Sequence, residues 1–378
     1  MSFMSFMSSM RRVLALAVRI VRQFLRDRRT LALLFLAPLL IMTLLNFVLN
    51  SSSSGVTLGI VPPSGPTGAL LIEQIKAEVS SGPSAVTVKT IAREHVDAAL
   101  RNGDADGVLI FPEDIPTGST PTGVMFTLRL DGSNPPAAAE LRTIVAQVVA
   151  GLENSAAPLV TTSSPPPLTV TYLYGGPEYT ETDALAPLFI GLFAFFFVFL
   201  LTSVSFLRER SQGTIERLMV SPLSRAELVL GYVLGFTLFA LMQSLIILLF
   251  VVAVLRVHYA GNLGLLFLVT VILTLGAVNM GIFASAFARN ELQVIQFIPL
   301  LLVPQVLLGG LFFSVQTLPV VLKQLAYIMP LTYANFALKG IMLKGFGLGD
   351  VWPELLFLAG FAALMVLAAA LSLRQERG

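Results

Sequence analysis

Cysteine is absent from the 378 residues, and histidine occurs only twice, as His95 and His258, far apart in the chain. Without thiols there are no disulfides, no thiolate metal ligands and no cysteine nucleophile, so any part outside a membrane folds by packing alone. Two isolated histidines with no HExxH pattern leave no zinc motif. Charge is scarce too. Only 12% of residues are Asp, Glu, Lys or Arg, where a soluble domain carries about 25%. Water cannot solvate a surface so poor in charge. With 55% hydrophobic residues and a mean hydropathy of +0.83, most of the chain must face lipid or other apolar helices. The net charge of +2 is too small to argue for nucleic acid.

Two catalytic patterns are also missing. A P-loop needs GxxxxGK followed by Ser or Thr, because its lysine must reach the β- and γ-phosphates. The five lysines are Lys76, Lys89, Lys323, Lys339 and Lys344, and none follows a glycine. The chain is therefore no ATPase of that type. No G-x-S-x-G elbow gathers the available Ser, His and Asp residues either, and His95, beside Glu94 and Asp97, reads as a surface histidine.

What the sequence does contain is long apolar runs. At about 1.5 Å per residue, about 20 apolar residues cover a hydrocarbon core of ~30 Å. Residues 31–49, 184–207, 228–255, 263–287 and 294–313 meet that length, and 351–373 makes a sixth run; Glu354, near one end, is the only charge inside any of them. The run at 31–49 follows an Arg-rich region but has no A-x-A cleavage pattern, so an uncleaved anchor is expected. Arginines 11, 12, 19, 22, 26, 28 and 29 precede the first run, 208, 210, 217 and 225 lie between the second and third, 289 follows the fourth, and 374 and 377 follow the sixth. Six crossings put them all on one side, which the positive-inside rule makes cytoplasmic, with both termini. All five lysines then fall on the other side.

Between the first two runs lies a polar stretch of soluble composition. Residues 56–61, 85–90, 107–111, 124–130 and 168–174 read as strands, and 69–80, 93–101 and 137–154 as helices. The fold class expected is a membrane all-α bundle of six transmembrane helices with an inserted small α/β (or α+β) extracytoplasmic domain at 50–183. Its edges are the Ser-rich 51–55 and the Pro/Ser-rich 161–167. Residues 1–30 form a cytoplasmic amphipathic interfacial helix, 31–49 the first span, and 184–378 a five-helix region. In the N-terminal helix Val13, Leu14, Ala17, Ile20, Val21 and Phe24 make an apolar stripe, with Arg12, Arg19, Arg22 and Arg26 on another, suited to anionic headgroups or to setting topology. Before the last run, residues 318–329 and 332–343 are apolar but too short to cross, and Pro330 parts them, so a broken outer hairpin is expected over 315–345.

Residues 208–225 read RERSQGTIERLMVSPLSR. Thr214 is placed to cap a short helix containing Arg217, Leu218 and Met219, with Ser221-Pro222 turning into the third run. A charged helix held between two long apolar ones makes a good lever; a solvated connector is the alternative. This segment resembles the E-x-x-x-G-T-x-E-x-L-x-x-S/T-P loop of the bacterial type-2 ABC exporter permeases. Glu209, Gly213, Thr214, Glu216, Leu218, Ser221 and Pro222 match it. The resemblance implies that these residues form a coupling helix docking on a separate ATP-binding subunit. ATP and magnesium would be bound there, and no cofactor or metal in this chain. It also implies a second copy of this permease or a homologous one in the same bilayer, and hydrophobic or amphipathic cargo such as drugs or lipids. Leu318-Pro319 with Met329-Pro330-Leu331-Thr332 is similar to the family's L-P…P-L/F-T pattern. The arrangement resembles the subgroup with a large extracytoplasmic domain after the first span.

Polar residues within the runs are Thr202, Ser203, Ser205, Gln243, Ser244, Asn279, Gln296 and Gln305. They either line a substrate path, for which Ser203, Gln243, Asn279, Gln296 and Gln305 are the candidates, or bond neighbouring helices. Gly231-x-x-x-Gly235 allows close helix approach, and Pro299, Pro304 and Gly309-Gly310 offer a bend in the fifth run. The reading is an exporter permease from the bacterial cell membrane, without catalytic residues of its own. A secondary transporter is the alternative, against which the spans lack the mid-membrane carboxylate or histidine that proton coupling uses; a non-transporting scaffold or receptor acting through its outer domain is another, with the 208–225 loop against it and the large outer domain for it.

Overall fold

The computed structural model describes residues 3–49, 56–63, 86–111, 126–156, 168–220, 223–288, 290–310 and 315–372. The chain divides into two compact units, one made of Met1–Val48 with Leu185–Gly378 and one of Leu49–Ala184.

The first unit opens with α1 (Phe3–Arg26), whose apolar residues recur at three- and four-residue spacing. Val13, Leu16, Ala17, Ile20 and Phe24 are buried. The expected stripe needs one correction: Leu14 is half exposed and Leu16 takes its place, because the face is set by the 13-17-20-24 row and Leu16 falls inside it. Asp27 then interrupts the helix. Its carboxylate accepts from the Thr30 amide at 3.2 Å and hydroxyl at 2.6 Å, which satisfies the first turn of α2 (Arg28–Leu49). The two helices meet at a bend of 71°.

The second unit is a five-stranded sheet with helices. Its strands are β1 (Val56–Val61), β2 (Val86–Thr90), β3 (Gly107–Ile110), β4 (Phe126–Leu130) and β5 (Leu168–Tyr172), in the order β2-β1-β3-β4-β5. All neighbours are parallel except β3 and β4. The register aligns Thr90, Ile60, Leu109, Leu128 and Val170 in one row across the sheet. The long helix α4 (Pro135–Ala156) covers that face with Leu141, Val145, Val148 and Val149. A 3₁₀ turn (Arg93–His95) and α3 (Val96–Asn102) bring Val96 and Leu100 against Val61 and Val108 on the other. The two edge strands β2 and β5 and the one-sided β4 keep a two-residue alternation of burial; central β1 is buried on both faces. The expected helix at 69–80 and the expected linkers at 51–55 and 161–167 lie outside the described residues.

The chain returns to the first unit with α5 (Glu181–Ser211), followed by the short α6 (Thr214–Met219), then α7 (Arg225–Ala253), α8 (Leu263–Ser285), α9 (Glu291–Leu308) and, last, α12 (Leu348–Ser372). Each except α6 is long and apolar enough to cross a membrane, five in all among the described residues, or six if the bent α1–α2 pair is counted as one span. α9 differs from the run expected at 294–313. Asn290 starts it early by accepting from the Gln293 amide at 2.9 Å, and Gly309 with left-handed Gly310 (φ 83°) ends it at Leu308. Between α9 and α12 come a 3₁₀ turn (Val315–Thr317), α10 (Val320–Ala326) and α11 (Pro330–Lys344). Pro319 precedes the first turn of α10 and Pro330 opens α11, positions where a missing N–H costs nothing. α11 is buried along most of its length between α8 and α12. Ala260, in the α7–α8 loop, donates its amide to Met342 of α11 at 2.7 Å.

Candidate functional site

The chemistry-bearing residues gather where α5 ends. Three consecutive residues there point in three directions, as a 3.6-residue period dictates. Arg208 holds Glu291, the first residue of α9, through Nε at 2.7 Å. Glu209 is 6% exposed and accepts from three donors: Arg19 at 3.3 Å and Gln23 at 2.6 Å on α1, and the Tyr232 hydroxyl at 3.0 Å on α7. Arg210 donates to the carbonyls of Ser285 and Ala286 at 3.1 and 3.0 Å, capping the C-terminal end of α8. One turn of α5 therefore grips α1, α7, α8 and α9. Phe206 adds an edge-on contact to Tyr232, with ring centroids 5.1 Å apart.

Immediately beyond lies the 208–225 loop. Gly213 adopts the left-handed conformation (φ 69°), and its amide bonds the Arg210 carbonyl at 3.0 Å. It is at once the residue that ends α5 and the N-cap of α6. The expected cap, Thr214, is instead the first helical residue, because the turn needs a positive φ that glycine takes without strain and threonine does not. Glu216 and Leu218 lie within α6, and Ser221 and Pro222 fall outside the described residues. Val220 is 90% exposed, an apolar side chain standing out of a charged loop. The next helix starts with a capping box: the Ser224 side chain accepts from the Glu227 amide at 3.2 Å, and the Glu227 carboxylate accepts from the Ser224 amide at 2.7 Å. That carboxylate also accepts from Arg12 Nε at 3.1 Å, giving α1 a second ionic tie.

The candidate path residues are dispersed. Ser203, Gln243, Asn279 and Gln305 are buried, and each side chain donates to a backbone carbonyl: Phe199, Phe193, Leu275 and Leu301 respectively. Gln243 thereby links α7 to α5, and Gly281 of α8 lies close against Thr202 and Ser203 of α5. Gln296 is exposed on α9. In the hairpin, Thr332 is buried in the first turn of α11, and Asn335 donates to the Gly309 carbonyl at 2.6 Å, tying α11 to the end of α9.

The sequence profile described as "ABC-2 family transporter protein" matches residues 28–371, more than nine-tenths of the chain. The chain belongs to the ABC-2 transporter family. The match starts at the first residue of α2, so the family pattern takes in the inserted sheet domain and every later helix, while α1 precedes it. Among similar proteins, ABC transporter G family member 20 of Dictyostelium discoideum is 32% identical over 206 residues, which are 54% of this chain and 28% of that protein. Two Escherichia coli K12 proteins align almost end to end. They are the probable multidrug ABC transporter permeases YbhS, 24% identical over 341 residues, and YbhR, 25% identical over 340; both alignments cover 89% of this chain and 90% of the relative.

For this ABC-2 chain, the motif marked the 208–225 loop but not the contacts made by residues 208–210 at the end of α5. Tyr232 carried a faint signal, a hydroxyl inside an apolar run that needs a partner when buried. Glu227 and Glu291 carried another, since carboxylates at the ends of apolar helices invite arginine. Their pairing with Arg12 and Arg208 joins residues 215 and 83 positions apart, which spacing alone does not reveal.

Proposed function

We propose that this chain is the membrane subunit of an ATP-driven exporter, with ATP and magnesium bound and hydrolysed in a separate cytoplasmic subunit. In this reading the Arg-rich ends of the helices and both termini are cytoplasmic, six crossings are made, and the sheet domain stands on the opposite side of a bacterial cell membrane, as in the subgroup with a large extracytoplasmic domain. The ATP-binding subunit docks on α6, with Glu209, Gly213, Thr214, Glu216, Leu218, Ser221 and Pro222 as the coupling residues and the exposed Val220 as an apolar contact. A second copy of this permease or a homologous one completes the complex.

The observation that carries the proposal is the grip of residues 208–210 directly behind Gly213. A push on α6 reaches α5 through a single left-handed joint. It then passes to α9 through Arg208, to α1 and α7 through Glu209, and to α8 through Arg210. Packed helices shift between discrete arrangements rather than deforming smoothly, so closure of the motor becomes a concerted helix movement. The buried, carbonyl-bonded state of Ser203, Gln243, Asn279 and Gln305 favours a packing role over a path in this arrangement. Hydrophobic or amphipathic cargo follows from the likeness to the multidrug permeases.

The test is ATPase activity of the complex purified with its native partners, wild type against a Gly213→Pro, Glu216→Arg variant. Recruitment of an ATPase by the wild type and its loss in the variant supports the proposal. A wild-type chain that brings down no ATPase sinks it.

A further inference from the structure

A cleft of about 380 Å³ lies between the α1–α2 bend and helices α5, α7 and α9, within the size range that encloses a drug-sized molecule. Its wall is apolar, built by Phe24, Leu34, Phe197, Leu201, Phe236 and Ile295. Its rim is ionic: Asp27, Glu209 and Glu291 supply three carboxylates against the guanidinium of Arg208 in the lining and that of Arg19, paired to Glu209 at 3.3 Å from behind it, so the carboxylates still outnumber these two cations by one. An apolar chamber with an acidic rim suits one chemical class. We propose that the cleft binds a free hydrophobic amine, with its protonated nitrogen at Glu291 and its apolar body against Phe197 and Leu201. This rests on the exporter reading, and it names the substrate class.

The three carboxylates are not equivalent. Both oxygens of Glu209 are already engaged, by Gln23, Arg19 and the buried Tyr232, and those of Asp27 hold the first turn of α2. Among the described residues Glu291 is held by Arg208, and the two side chains are about half exposed, at 49% and 48%. A pair so open to water is worth little and exchanges readily. An incoming ammonium takes the place of the guanidinium at Glu291 and keeps that carboxylate paired, while released Arg208, already about half exposed, is solvated by water. An anionic amphipath has to part Arg208 from Glu291 and then sit among three carboxylates. The exchange also unfastens α9 from α5, so occupancy acts on the same turn that the coupling helix moves.

The experiment uses the full-length chain in phosphatidylcholine nanodiscs, without nucleotide, titrated with the fluorescent amine acridine orange and with anionic anilinonaphthalene sulfonate. Acridine orange is expected to bind the more tightly. Glu291→Gln should weaken it by about tenfold and Arg208→Gln should strengthen it several-fold, opposite signs that general loosening of the fold does not produce. Ser205→Phe, which fills the cleft from α5, should abolish binding; an unchanged size-exclusion profile verifies folding. Tighter binding of the anion, equal-signed shifts from the two charge variants, or full binding by Ser205→Phe overturns the proposal. Displacement of the dye by phosphatidylethanolamine does so too, since the occupant is then a lipid headgroup. A chain that binds the dye as described yet recruits no ATPase refutes the exporter reading and leaves this site standing.

Discussion

Leu16 of α1 and Gly231 of α7 touch so closely that a β-carbon on the glycine would stand 2.6 Å from the leucine side chain. One turn further, Gly235 meets Ile20 in the same way, at 2.9 Å. The Gly-x-x-x-Gly pair is thus the groove into which α1 lies, with Phe24 closing it edge-on against Phe236 at 5.6 Å between centroids. Gly231→Val should destabilise the chain by about 1–3 kcal/mol, the usual cost of overpacking. A fall in thermal unfolding temperature in detergent measures it, and Leu16→Ala in the same chain should recover part of the loss.

Removing the acceptor at the centre of the grip should be felt by three donors. Glu209→Leu leaves the buried Tyr232 hydroxyl without its acceptor, an expected loss of about 1–3 kcal/mol, with little added by the exposed Gln23 and the partly exposed Arg19. In a double-mutant cycle with Tyr232→Phe the double variant should lose less than the sum of the two single losses. Strict additivity would mean the hydroxyl contributes nothing to the network.

Arg210→Ala should loosen the end of α8 in particular. Amides of residues 286–288 are expected to exchange with deuterium about tenfold faster, while those in the middle of α8 keep their rate. Uniform acceleration along the helix would argue that Arg210 holds the whole bundle and not one helix end.

Ser224→Ala removes half of the capping box on α7. The expected cost is about 1 kcal/mol, read as a lower unfolding temperature. Ser224→Asp should retain most of the stability, since aspartate caps as well.

Residues 49–184 form one unit with a core of their own, so they should fold when expressed alone. In that fragment Leu141→Ala, at a fully buried position facing the sheet, should lower stability by about 2–5 kcal/mol. Circular dichroism melts of the two fragments give the difference.

How much of this was legible depended on the range of the interaction. All five strands lie within a residue or two of the expected positions, because alternation and turn residues are local signals. The apolar helices were equally plain from length. Errors came where a position answered to two constraints. Thr214 has the chemistry of a cap, but the sharp reversal after α5 demanded a glycine conformation. Leu14 is as apolar as Leu16, yet one of them had to face away from α7. The arginines of α1 read as partners for headgroups or as topology signals; the pairing of Arg12 and Arg19 with Glu227 and Glu209 is a long-range contact that the local pattern does not carry. The cleft was invisible because four separated stretches build it, and no one of them carries its pattern.

Only Gln212 and Gly213 separate the last residue of α5 from the first of α6, which leaves little slack between the two helices. Their angular phase is accordingly set by residue count. One residue added or deleted beside Gly213 rotates the outward side of α6 by about 100°, turning Val220 and its neighbours away from whatever they face while each helix keeps its own sequence and stability. Substitutions at this junction keep that phase, whereas an insertion or deletion there changes it.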